Sequence, residues 1–76
     1  MNNLRRKEIQ NIKDKLFELQ QLLEALKDQE QESFDNMPEN LQEAEKGQYM
    51  ESAIDNLDDA INSLDDSMGS LDEAAL

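Results

Sequence analysis

The stretch IDNLDDAINSLDDSMGSLDEA, Ile54 to Ala74, divides into three sevens: IDNLDDA, INSLDDS and MGSLDEA. Each seven opens on an apolar residue, has Leu fourth, acids fifth and sixth, and Ala or Ser last. An apolar pattern with a 3.5-residue period marks a helix that packs along another helix in a left-handed supercoil. Carried outward, Met50, Ile54, Leu57, Ile61, Leu64, Met68, Leu71 and Ala75 alternate steps of 4 and 3 throughout. Ile9, Ile12, Leu16, Leu19, Leu23 and Leu26 keep the same alternation near the start. The chain is expected to be all-α, a single helical-hairpin domain over residues 1–76, with helix 1 at about 4–32 and helix 2 at about 46–74.

Between the two runs lies SFDNMPENLQEAEKGQY, residues 33–49, which holds a connection at 33–45 with Pro38 at its bend. Pro38 disfavours helix at Met37 and suits the first position of a new turn, for which Asp35 or Asn36 could supply a side-chain cap. A short helical turn at Pro38–Glu45 is expected, with Phe34, Met37, Leu41 and Tyr49 covering the open end of the hairpin.

The register of an antiparallel hairpin can be read from complementarity. Setting Ile9 against Leu71 places Ile12 on Met68, Leu16 on Leu64, Leu19 on Ile61, Leu23 on Leu57 and Leu26 on Ile54. The same setting brings Arg6 near Asp72, Lys13 near Asp65, Gln20 near Asp58 and Lys27 near Glu51 on one flank. On the other flank, Leu22 faces Ala60 and Lys15 faces Ser67. Exposed pairs of this kind contribute about 0.2–1 kcal/mol each, so they select register more than they stabilise.

Two helices at this length make a thin core, and no Cys is present to staple it. Helix 2 carries a second, small uncharged strip, including Ala53, Ala60, Ser67 and Ala74. With Leu22 opposite, this strip is the expected self-association face of a homodimeric four-helix bundle.

Charge is extreme and unevenly placed: 7 basic against 19 acidic residues, a net of −12. Residues 1–27 hold six bases and four acids; residues 47–76 hold eight acids and no base. Direct nucleic-acid binding is disfavoured, because phosphate contacts need Lys and Arg. A basic protein is the natural partner. With neither His nor Cys the chain has no imidazole base, no thiolate and no Glu-x-x-His metal motif, and carboxylates on exposed helices stay ionised, so neither catalysis nor a cofactor or metal is expected. Anchoring Gly69 as the sixth residue of a calcium loop puts Leu64 first, which cannot ligate. No stretch reaches the roughly 20 apolar residues of a membrane span, and a soluble cytoplasmic chain is the default expectation.

That leaves the acids. Asp58/Asp59, Asp65/Asp66 and Asp72/Glu73 recur every seven residues, and Asp55 precedes them. Asp is a poorer helix former than Glu, yet its short side chain holds the carboxylate close to the helix and defines its position better. Two charges per heptad fall about every 5 Å of helix, beside about 3.4 Å for phosphates along a DNA strand. These seven acids are the candidate contact surface for a basic partner. The competing reading is a structural or assembly coiled coil whose acids serve only solubility.

The segment EQESFDNMPENLQEAEKGQYMESAIDNLDDAI, residues 30–61, resembles small acidic helical proteins of unknown function from Firmicutes and their phages and mobile elements. The resemblance implies a defined structure for residues 34–42 and supplies no catalytic or binding residue. A phage setting implies an inhibitor that mimics nucleic-acid phosphates and occupies a basic site on a host nucleic-acid-binding or defence protein.

Overall fold

A computed structural model of the chain describes residues 1–76 and contains α1 (Asn3–Asp35), α2 (Glu39–Gln42) and α3 (Glu45–Ala74), with no strand. α1 and α3 run antiparallel and pack along each other, with the single turn of α2 against α3. The molecule is a flat rod with extents of 58 × 15 × 11 Å. This is the helical hairpin anticipated from the heptads. No helix is long and apolar enough to cross a membrane.

The helix ends follow from local chemistry. Asn2 caps α1, its side-chain oxygen accepting from the Arg5 amide at 2.8 Å. α1 runs three residues beyond the expected end and closes at Asn36, whose amide donates to the Glu32 carbonyl at 3.0 Å. Neither Asp35 nor Asn36 caps α2 as expected. The Asp35 carboxylate accepts from Gln31, Asn36 terminates α1, and Pro38 itself occupies the N-cap with φ −56° and ψ 144°. α2 lacks a side-chain cap because Pro38 carries no oxygen on its ring. Phe34 and Met37 are half-buried at this end, whereas Leu41 and Tyr49 stay exposed. The Tyr49 hydroxyl donates back to Glu45, one turn earlier, and so finds its partner at the surface.

α3 has no base in its last turn, where backbone carbonyls concentrate negative charge. Arg6 of α1 supplies one from across the hairpin, donating to the Ala75 carbonyl at 2.8 Å and to Leu76 at 3.5 Å. The predicted Arg6–Asp72 pair is therefore replaced by a capping contact.

α3 presents the seam read from its heptads. Ile54 and Ile61 are buried, and Met50, Leu57, Leu64, Met68 and Leu71 are half-buried. α1 is turned about 50° from expectation. Ile9, Leu16 and Leu23 face α3, but Ile12, Leu19 and Leu26 are 48%, 52% and 52% exposed. Lys13, Gln20 and Lys27 stand in their places. The register moves with the rotation: Lys13 meets Asp72, Gln20 meets Asp65 and Lys27 meets Asp58, each one heptad beyond the residue expected.

The connection is lopsided as well. α2 lies on the first turn of α3, where Gly47 is buried, and the Gln42 side chain reaches back to the Phe34 carbonyl at 2.8 Å. That turn of α3 consequently projects past the end of α1. The helices themselves are offset by less than the change of side-chain partners, since Gln20 also reaches the Ile61 carbonyl, one residue from the layer expected for Leu19.

Candidate functional site: a carboxylate row and an apolar groove

The hairpin has two unlike edges, because Lys13, Gln20 and Lys27 lie about 100° around α1 from Ile12, Leu19 and Leu26. On one edge runs a polar ladder at heptad spacing. Its middle rung is Gln20, 5% exposed, whose amide donates to the Ile61 carbonyl at 3.0 Å and to Asp65 at 2.7 Å. Lys27 bonds Asp58 at 2.7 Å, and Lys13 pairs with Asp72 at the far end. The Asp58 hydrogen bond holds the Lys27 ammonium above the usual lysine range against the opposing effect of desolvation, with the nearby charges of Asp58, Asp28 and Glu24 adding to it. No buried side-chain polar atom is left without a partner.

The seven candidate contact acids divide accordingly. Asp58, Asp65 and Asp72 are engaged by the ladder. Asp55, Asp59, Asp66 and Glu73 are exposed, and the chain's two ion pairs involve none of them. At 100° per residue these four fall within an arc of about 40° and extend along about 27 Å of α3. The row is straight because the heptad places them on nearly the same helical angle, and it points away from α1 because the seam lies on the other side. No three metal-ligating side chains gather closely enough to hold an ion.

The other edge is apolar. Leu19, Leu22, Leu23 and Leu26 of α1 face Ala60, Ser63 and Leu64 of α3 across an open groove of about 440 Å³. Leu22 and Ala60, both expected at a self-association face, thus share one surface. Ala53 is half-buried, while Ser67 and Ala74 are exposed farther along α3. The serines of this strip are internally satisfied: Ser63 donates to the Asp59 carbonyl at 2.9 Å and Ser67 to the Ser63 carbonyl at 3.0 Å. Their outward surface is correspondingly less polar.

Three features were not anticipated from the sequence. Gln20 is a buried rung rather than a flank residue, Leu19 and Leu26 belong to the groove rather than the seam, and Gly47 is a docking point for the connection. The available signal was the exact seven-residue spacing of Lys13, Gln20 and Lys27, which matches that of Asp58, Asp65 and Asp72. Comparison of the chain with protein-family models, with curated proteins and with solved structures gives no match in any of the three.

Proposed function

We propose that the chain is a non-enzymatic acidic binding module whose α3 row occupies a basic, nucleic-acid-binding site on another protein, acting as an inhibitor by imitating phosphates. The observation that carries this reading is the set Asp55, Asp59, Asp66 and Glu73: exposed, aligned and outside every ion pair of the chain. A row held on a 30-residue helix keeps its spacing, so a cationic groove meets charges already arranged. Of the ladder acids, Asp58 and Asp72 are offset by Lys27 and Lys13, and only Asp65, held by the neutral Gln20, keeps its full charge beside the row. Opposite potentials of this kind speed encounter and weaken steeply with salt.

The test is affinity capture at low salt from a lysate of the cell that naturally makes the chain, with mass spectrometry of what elutes. Basic nucleic-acid-binding proteins should be retained, released by salt, and lost when Asp55, Asp59 and Asp66 become Asn and Glu73 becomes Gln. Retention that survives both the substitutions and high salt would sink this reading. The apolar groove favours a second one, an assembly coiled coil, in which the same four substitutions leave every interaction intact.

A further inference from the structure

We infer that a second copy of this chain covers the groove, giving a four-helix bundle in which α1 of each protomer lies on α3 of its partner. The proposal does not depend on the acidic row. Within one chain only Ile54 and Ile61 are buried apolar residues, while Ile12, Leu19, Leu22 and Leu26 stand about half exposed or more on one side of α1. A stripe of this length at helical spacing calls for a helical occupant.

Shape and local charge point to a copy of the same chain. The two helices contribute unlike surfaces to the groove: large residues on α1, small ones on α3. Stacking α1 on the partner's α1 would set Leu against Leu and leave two small strips apart. Stacking α1 on the partner's α3 sets large against small. It also places Arg5 and Lys15, which lie within about 60° of Ile12 around α1, beside a helix that carries nine acids and one base, Lys46.

Symmetry then fixes the register. A two-fold axis along the bundle keeps every residue at its own height, so the levels seen within one chain apply between chains. Gln20 reaches both Ile61 and Asp65, and Leu19, Leu22 and Leu26 line one groove with Ala60 and Ser63, so these large residues come within about one helical turn of Ala60, Ser63 and Ser67 of the opposite protomer. The large residues of α1 thus lie over the small ones of α3.

Sedimentation equilibrium of the full chain at about 0.15 M salt, near the physiological screening length, tests the assembly. A mass twice the 8.7 kDa of one chain is expected, and a single-chain mass at tens of micromolar would overturn the proposal. Mixing a Leu26→Cys chain with an Ala60→Cys chain under mild oxidation tests the pairing without disturbing the fold by charge. The mixed disulfide should dominate. Predominance of the Leu26→Cys homodimer, or no crosslink in a chain of double mass, would overturn it. Ala60→Glu should convert the double mass to the single one, and a double mass retained by that variant would place the interface elsewhere.

Discussion

Gln20 donates to the Ile61 carbonyl and to the Asp65 carboxylate at once, so one buried amide ties α1 to both backbone and side chain of α3. An apolar residue in its place would bury as much and specify less. Buried polar rungs in coiled coils commonly trade stability for a single register. Gln20→Ala removes both bonds and leaves Asp65 without its amide partner, a loss of about 1–3 kcal/mol. Thermal unfolding followed by circular dichroism should show the midpoint falling by several degrees or more. Gln20→Leu should melt no lower than the parent but lose its preference for one register, readable as broadened amide signals in a nitrogen–proton spectrum. A sharp spectrum with the parent's pattern would show that the amide has no part in choosing register.

How much of this was legible beforehand depends on the helix. The seam of α3 was legible from Met50 onward, since only one of its arcs carries large apolar residues and that arc became the seam. α1 offered a tie. Ile9, Leu16 and Leu23 belong to two possible seams, completed either by Ile12, Leu19 and Leu26 or by Lys13, Gln20 and Lys27 one residue on. Apolar periodicity favours the first set and cross-strand pairing permits the second. The second set is the one that meets α3, and the periodicity of α1 alone does not report on that choice. The candidate acids were legible as a set. Their division into paired and unpaired followed position in the heptad, although the cations doing the pairing were each displaced by one repeat.

Lys27 gives the ladder a pH dependence of definite sign. Its ammonium is held above the ordinary lysine value of 10.5, first by the hydrogen bond to Asp58. A group whose pKa rises on folding contributes stability below its unfolded value and loses that contribution as pH climbs through the folded one. The Lys27 contribution should therefore be constant from neutrality to about pH 10 and decline above it. The measurement is the melting midpoint of the parent and of Lys27→Met across pH 7 to 11.5. The difference between them should change only at the alkaline end; a change centred near neutrality would contradict the assignment.

Arg6 acts at the other end of the hairpin, as the cation that α3 lacks in its own last turn. Arg6→Ala removes donors to the Ala75 and Leu76 carbonyls and a favourable dipole contact, about 0.5–1 kcal/mol in all. Because the contact is exposed, its effect should be local: faster hydrogen exchange for amides near residues 72–76, with little change at Ile54 or Ile61. Arg6→Lys should recover only part of the protection, since an ammonium lacks the guanidinium's planar fork. Equal protection in the parent and Arg6→Ala would show that the last turn is held by other means.

The two glycines of α3 make opposite predictions from the same substitution. In a helix interior Ala is favoured over Gly by roughly 0.5–1 kcal/mol, through the entropy of the unfolded chain. At Gly69 a methyl group meets nothing within 4 Å, so Gly69→Ala should raise the melting midpoint by a few degrees. At Gly47 the same methyl would clash with the Gln42 carbonyl oxygen, which is backbone and cannot swing aside. Here the clash outweighs the propensity, and α2 must lift from the first turn of α3. Gly47→Ala should lower the midpoint and also release the Gln42–Phe34 bond that fixes the offset of the two helices. The decisive readout is register: nuclear Overhauser contacts between the Gln20 side-chain amide and Ile61 and Asp65 should be present in the parent and weakened in Gly47→Ala. Undiminished contacts would show that the ladder alone sets the offset, and that the connection merely follows it.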